Sequence, residues 1–360
     1  MNSTPISVVI AGGGTAGHIE PALAVGEALR NRHAAQVIAL GTPKGLESDI
    51  IPARGVELKL ITPVPVPRKI NLDLFKLPFR ILKSVRESRK VIKEAKADVV
   101  FGTGGYVAAS AYLAARSLGV PYYVLETNAL AGMANKLGVR MGGIGLNAQQ
   151  DSGMPGDVVG IPVRPGLGED PDGTVAAKAK EKWGLGDRPT ILVTGGSQGA
   201  ASINAAVAGG IDKLCEKYQV LHAYGKKNAA PEAHEHYVPL PYIDDMASAL
   251  AVADLVICRS GAMTVAEVSA AGVPAIYVPL PHGNGEQALN SREVVKHGAA
   301  VQVADGDFDS QRLLDEVDGI LGNTERYQDM SIAAQHSPAG DVAERLADRI
   351  AKRIKEAEEK

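Results

Sequence analysis

Residues 6–29 read ISVVIAGGGTAGHIEPALAVGEAL, and this stretch decides the fold. An apolar run, Ile6 to Ala11, leads into Gly12-Gly13-Gly14-Thr15-Ala16-Gly17-His18 and then into an alanine-rich segment of helical character. Strand, glycine turn and helix in that order gather free backbone N–H groups and a positive helix end at one point, as an anion site requires. The plan returns far along the chain, where Ile191 to Val193 precede Gly195-Gly196-Ser197-Gln198-Gly199 and a second alanine-rich segment. One such unit suggests a nucleotide site. Two, one per half, predict two facing domains with a cleft between them.

The pattern continues on either side. Strands are expected at 8–11, 36–40, 58–62, 99–101, 122–125, 144–146 and 158–159, then at 191–193, 220–223, 238–240, 255–258, 275–278 and 300–303. These runs are continuous rather than alternating, as strands buried on both faces are. They alternate with helical patterns, which predicts an α/β fold with a doubly wound parallel sheet in each half. A length of 360 residues suits two domains. Gly160-Ile161-Pro162-Val163-Arg164-Pro165 closes the first series, placing the boundary near residue 163. At the other end Val342, Leu346, Ile350 and Ile354 recur at spacing four, a terminal amphipathic helix that must pack on something.

Composition bounds the rest. Hydrophobic residues make up 45% and charged residues 22%, a globular balance. The net charge of −3 argues against a nucleic-acid partner. Cys215 and Cys258 lie in apolar stretches and read as buried, reduced thiols of a cytosolic protein. No apolar run reaches the ~18 residues of a membrane span, and no signal segment fits before Ile6.

Gly12, Gly14 and Gly17 also fit the G-x-G-x-x-G of dinucleotide sites. Such a site wants an acid at the end of the second strand, but that strand ends Ala39-Leu40-Gly41-Thr42. His18, at a helix start, feels the positive helix end, which favours its neutral, proton-accepting form. It reads either as a general base or as a phosphate-binding or capping histidine. A third turn is Gly102-Thr103-Gly104-Gly105-Tyr106, and a fourth is Arg259-Ser260-Gly261-Ala262-Met263-Thr264. The fourth opens a helix on which Glu267 either takes a ribose diol or compensates the helix dipole. Asp305-Gly306-Asp307 has a D-x-D form but reads as a turn and helix cap. His234-Glu235-His236 lacks further ligands nearby and reads as solvated. Neither a metal nor a cofactor is expected; helix ends, Ser197 and Arg164 would neutralise a diphosphate.

One segment stands apart. Between Arg68 and Lys96 there are ten Lys/Arg and three Asp/Glu, a net of +7, together with two of the four phenylalanines. Pro78 fits the first turn of a helix there. Phe75, Phe79 and Leu82 among Lys76, Arg80 and Lys83 suit an anionic membrane face. Alternatively this is a solvated basic helix with Ile81, Val85 and Ile92 toward the core.

Together these runs resemble the MurG family of peptidoglycan glycosyltransferases. The resemblance rests on GGGTAGHIEPALAVGEAL (12–29), GTPKGLESDIIPARG (41–55), DVVFGTGGYVAASAYLAARSLGVP (98–121), ALAGMANK (129–136), PVR (162–164), GGSQGAASIN (195–204), YIDDM (242–246) and CRSGAMTVAEVSAAGVPAIYVPLP (258–281). Residues 281–287 look like the actinobacterial branch. The resemblance implies a GT-B fold, two Rossmann-like domains facing across a cleft. Residues 1–163 would bind acceptor and membrane, 164–340 the UDP-sugar donor, and 341–360 would return to the first domain. It implies an inverting, metal-independent transfer of N-acetylglucosamine from UDP-N-acetylglucosamine to the 4-hydroxyl of undecaprenyl-pyrophosphoryl-N-acetylmuramyl-pentapeptide. That work belongs to cell-wall biogenesis, cell shape and division, peripherally on the cytoplasmic side of the cell membrane, with cell-wall synthesis proteins as partners.

By the family's pattern Ile243 reads the uracil through its backbone and Glu267 holds the ribose. Ser197, Arg164 and the helix opening at Ala262, Met263 and Thr264 face the diphosphate, and Val265 and Ala266 also belong to the substrate site. Gln287 and Asn128 contact the sugar. Thr15, Ala16 and Gly17 line the acceptor side, and His18 is the base, with Glu126 next. Where many members carry His-Glu-Gln-Asn, this chain has Leu125-Glu126-Thr127-Asn128, which places more weight on His18. Gly160-Ile161-Pro162 replaces the commoner Gly-Asn-Pro, and Glu286 stands where glutamine is common.

Overall fold

A computed structural model describes residues 5–65, 73–164, 166–196, 198–282, 285–336 and 341–358, the side chains of 73–75 and 358 excepted. The chain divides into two compact units, Met1–Pro165 with Asp341–Lys360, and Gly166–Gly340.

In the first unit the strands are β1 (Ser7–Gly12), β2 (Gln36–Gly41), β3 (Glu57–Leu60), β4 (Val99–Gly104), β5 (Tyr122–Glu126), β6 (Ile144–Asn147) and β7 (Asp157–Val158). All pair in parallel, in the order β3-β2-β1-β4-β5-β6-β7. The helices between them are α1 (Ala16–His33), α2 (Glu47–Ala53), α3 (Asp73–Glu94), α4 (Gly105–Leu118) and α5 (Met133–Arg140). β1 and β4 are buried along their whole length, which is why their sequences do not alternate. One sheet face packs under α1, the other under α3 and α4.

The second unit repeats the plan. Its strands are β8 (Thr190–Thr194), β9 (Gln219–Ala223), β10 (Tyr237–Leu240), β11 (Leu255–Cys258), β12 (Ala275–Tyr277) and β13 (Ala300–Gln302), in the order β10-β9-β8-β11-β12-β13. Its helices are α6 (Thr174–Trp183), α7 (Ala201–Lys217), α8 (Met246–Ala251), α9 (Ala262–Ala270), α10 (Glu286–Asn290), α11 (Arg292–Lys296), α12 (Ser310–Leu321) and α13 (Thr324–Gln335). Each expected strand has its counterpart, so both doubly wound sheets stand as read from the sequence.

The terminal helix α14 (Val342–Glu358) belongs to the first unit. Val342, Leu346, Ile350 and Ile354 are buried against Ala22, Val25 and Leu29 of α1. Arg32 and His33 reach Asp348, and Arg32 also reaches Glu344, from the end of α1. These pairs are half exposed and screened by solvent, so they add little. The apolar stripe therefore does most of the holding.

Two local expectations differ. Pro78 lies inside α3, beyond the first turn, because the helix already starts at Asp73. Ile81 is exposed; the inward line of α3 is Ser84, Ser88, Val91 and Ile92. Ser84 hydrogen-bonds Ser110 of α4 at 2.9 Å, so small residues set a close helix contact there and leave Ile81 outside.

His222 of β9 is buried in the second unit, its Nδ1 2.8 Å from the Tyr237 hydroxyl and its Nε2 3.1 Å from Asn204 Oδ1. Burial pushes its pKa down from 6.5 to about 4. As pH falls below 6.5 the unfolded chain takes up a proton that the folded ring refuses until about 4. Stability should therefore fall across that window, by on the order of 3 kcal/mol at its lower end. Urea unfolding of the parent and of His222→Gln from pH 7 to 4 checks this: the parent should show the steeper loss, and parallel curves would contradict it.

Candidate functional site

In an open parallel sheet, ligands bind outside the carboxyl ends of the strands where the strand order reverses. In the first unit that point lies between β1 and β4, and the first and third glycine turns meet there. A Cβ on Gly12 would overlap the His18 carbonyl oxygen and Thr103 Oγ1. Thr103 Oγ1 donates to that same carbonyl, so the start of α1 is tied to the end of β4. Gly104 has φ +115, and a Cβ there would stand 3.0 Å from His18 Cδ2 and Nε2. Gly12 thus lets the backbone of α1 approach β4, and Gly104 leaves room for the His18 ring.

Thr15 is the N-cap of α1, and Thr15 and Ala16 are exposed while Gly17 and His18 are half-buried. His18 Nδ1 lies 3.2 Å from the Gly13 carbonyl oxygen and 3.4 Å from Thr15 Oγ1. A carbonyl only accepts, so Nδ1 carries the proton and the neutral ring keeps its lone pair on Nε2. That is the tautomer a proton acceptor needs.

Glu126, at the end of β5, is 1% exposed, and both of its oxygens are occupied. Oε1 accepts from the Asn128 backbone N–H and side-chain amide, at 2.9 and 3.1 Å. Oε2 accepts from Gly132 N–H and Asn135 Nδ2, each at 2.9 Å. The segment from Asn128 to Asn135 is folded over this carboxylate. Asn135 also donates to the Leu125 carbonyl and accepts from the Tyr112 hydroxyl, joining β5 to α4.

Sequence reasoning missed Asn135 and a second buried carboxylate, Glu47. Glu47 Oε1 accepts from Thr42 N–H at 3.1 Å and Thr42 Oγ1 at 2.8 Å, and Oε2 accepts from Gly14 N–H at 3.3 Å. The Tyr106 hydroxyl then donates to Thr42 Oγ1. One carboxylate therefore links the loop after β2 to the first glycine turn and, through Thr42, to the third. The only local signal was an acid among glycines at a helix start, which reads as ordinary dipole compensation.

Arg164, at the end of the first unit's main segment, pairs with Glu20 of α1 through Nε at 3.2 Å and donates to it from a terminal nitrogen at 3.3 Å. Arg54 reaches the same carboxylate at 3.4 Å.

In the second unit the reversal lies between β8 and β11, where the second and fourth glycine turns end their strands. Ser197 lies outside the described residues. Gly261 caps α9; Ala262, Val265 and Ala266 are buried, while Met263, Thr264 and Glu267 are half-buried. Val265 packs in the core, so its contribution to a ligand would come from the backbone. Ile243 is 4% exposed, so any contribution from it would likewise come from the backbone. Gln287 Oε1 accepts from Leu280 N–H at 2.9 Å. Asp305 of the D-x-D stretch is engaged by Arg259 and Ser202. Among the described residues no group of three or more His, Cys, Asp or Glu is arranged to hold a metal.

On α3, Phe79 is 76% exposed and Leu82 48%, with Lys76 and Lys83 also exposed and Arg80 half-buried. The Phe75 side chain lies outside the described part.

Two Rossmann-like parallel sheets, each with paired glycine turns at its reversal point, are the architecture of the GT-B fold. The glycosyltransferase family 28 N-terminal domain matches residues 8–142, and the family 28 C-terminal domain matches 190–346. This chain belongs to glycosyltransferase family 28. It is 61% identical over 349 residues, 96% of this chain and 97% of the relative, to the UDP-N-acetylglucosamine–N-acetylmuramyl-(pentapeptide) pyrophosphoryl-undecaprenol N-acetylglucosamine transferase of Corynebacterium efficiens. To the protein of the same description from Nocardia farcinica it is 50% identical, over 96% of each chain. Among solved structures it is similar to Acinetobacter baumannii MurG, with a TM-score of 0.75 and 30% identity, covering 97% of this chain and all of that one. The calicheamicin glycosyltransferase CalG4, at 18% identity and a TM-score of 0.67 over 97% of this chain and 98% of its own, shares the fold.

Proposed function

We infer that this protein is the N-acetylglucosaminyltransferase that converts lipid I to lipid II in peptidoglycan synthesis. It moves N-acetylglucosamine from UDP-N-acetylglucosamine to undecaprenyl-pyrophosphoryl-N-acetylmuramyl-pentapeptide. The observation that carries this reading is identity of about 60% across both units to transferases of that description. The dinucleotide alternative loses further ground, because the carboxylate brought beside the first glycine turn, Glu47, is fully buried and engaged by Thr42 and Gly14.

The first unit is proposed as the acceptor side and the second as the donor side. The muramyl 4-hydroxyl gives its proton to His18 Nε2 as its oxygen attacks the anomeric carbon. The bond to the β-phosphate oxygen breaks, its electron pair leaves with UDP, and the configuration inverts. The N-terminal ends of α7 and α9, with Ser197, hold the diphosphate charge, and no metal is invoked; Arg164, expected to join them, belongs to the first unit, where Glu20 already pairs with it. Ile243 meets the uracil, Glu267 the ribose, and Gln287 and Asn128 the sugar. Glu126, with both oxygens occupied, shapes the loop that carries Asn128, which leaves His18 as the better-placed base. A general base contributes about 10²- to 10⁴-fold. Turnover of His18→Ala at saturating substrates should fall by that order, with the donor KM little changed; near-parent turnover would assign the base elsewhere.

The protein is proposed to work peripherally on the cytoplasmic face of the cell membrane, docked through α3, beside other cell-wall synthesis proteins. Exposed Phe79 and Leu82 among lysines support this, and no helix among the described residues is long and apolar enough to cross a membrane. The double variant Phe79→Ser with Leu82→Ser should bind anionic vesicles roughly tenfold or more weakly. Equal sedimentation with vesicles by parent and variant would reject the docking face.

A further inference from the structure

Asp305 begins the turn after β13, a stretch whose D-x-D form suggests metal chemistry in isolation. Its Oδ1 instead accepts from two groups, the Ser202 hydroxyl and an Arg259 guanidinium nitrogen. The same Arg259 nitrogen donates to the carbonyls of Val278 at 3.0 Å and Pro279 at 3.1 Å, and the other terminal nitrogen donates to Ser202 Oγ at 3.1 Å. The pair is 12% and 18% exposed. Burial alone would raise the Asp305 pKa, but the Ser202 and Arg259 hydrogen bonds and the charges of Arg259 and His282 hold it below the usual carboxylate range.

Three pieces of backbone therefore meet at one ion pair. Ser202 is in the first turn of α7, directly after the second glycine turn. Arg259 stands two residues before the N-cap of α9. Val278 and Pro279 lead to Leu280, whose N–H is accepted by Gln287. These are the segments to which the donor reading assigns the diphosphate and the sugar. A planar guanidinium can reach a carboxylate, a hydroxyl and two carbonyls at once, which a lysine cannot.

We propose that Arg259 and Asp305 are positioning residues for the nucleotide-diphosphate sugar: their largely covered ion pair sets the spacing of the α7 start, the α9 start and the backbone of Val278 to Leu280, on which Gln287 rests. The proposal rests on the reading of the second unit as the donor side. Neither residue touches the donor. They act by fixing where backbone amides and Gln287 point, and sites built from such groups lose function with misplacements of about 1 Å.

The test uses the full chain. Calorimetry with UDP gives a Kd, and steady-state assays give KM for UDP-N-acetylglucosamine and for the lipid-linked acceptor. Arg259→Lys and Asp305→Asn should each raise the UDP Kd and the donor KM roughly 10- to 100-fold, with the acceptor KM within about twofold of the parent. Should either variant fail to fold, the double variant Arg259→Met with Asp305→Leu removes both charges together, a change buried pairs often tolerate; it too should bind UDP weakly. Folded variants with lowered melting temperature but parent-like UDP Kd and donor KM would overturn the proposal and leave the pair a structural role. A parent protein that does not bind UDP would instead overturn the donor reading on which the proposal stands.

Discussion

The structure depends on close backbone approach at two points where strand order reverses. At the first of them no side chain fits on Gly12, and none fits on Gly104 without displacing the His18 ring. That constraint brings α1, β4 and the third glycine turn together and leaves His18 half-buried between them. The Gly13 carbonyl then fixes the ring's tautomer. A rule about backbone space thus becomes a statement about which nitrogen can take a proton.

Three carboxylates hold the loops around these points. Glu47 and Glu126 are almost fully buried, and Asp305 is mostly so. Each accepts several hydrogen bonds from backbone or side-chain donors on other segments. Such bonds are charge-assisted and stronger than neutral ones. Removing a donor leaves a buried acceptor unsatisfied, at a cost of about 1–3 kcal/mol. The loops are therefore shaped by where the carboxylates sit as much as by glycine.

Much of this was legible in the sequence. Continuous apolar runs such as Ile6 to Ala11 and Leu255 to Cys258 revealed buried parallel strands, because a strand covered on both faces cannot alternate. The spacing of Val342, Leu346, Ile350 and Ile354 revealed a helix with one buried face, but not its partner on α1. Acids were the hard part. Glu47 and Asp305 look locally like a helix-start acid and a turn acid, and only tertiary contacts with Thr42, Gly14, Ser202 and Arg259 show otherwise. His222 was passed over because nothing in its neighbours announces that Asn204 and Tyr237 satisfy both of its nitrogens. Ile81 misled through helical periodicity, since Ser84 and Ser88 take the close contact with α4 instead.

Membership of glycosyltransferase family 28 and the two-sheet architecture are the frame for the proposed division of labour, in which one unit would accept the proton and the other would bind the diphosphate. The reaction expected is an inverting transfer to a lipid-linked sugar hydroxyl. The most direct measurement incubates the full chain with UDP-N-acetylglucosamine and a lipid-linked N-acetylmuramyl-pentapeptide and determines the anomeric configuration of the product by NMR. One new β-linkage to the muramyl 4-hydroxyl is expected for each UDP released. An α-linkage, or UDP release with the sugar passed only to water, would contradict it.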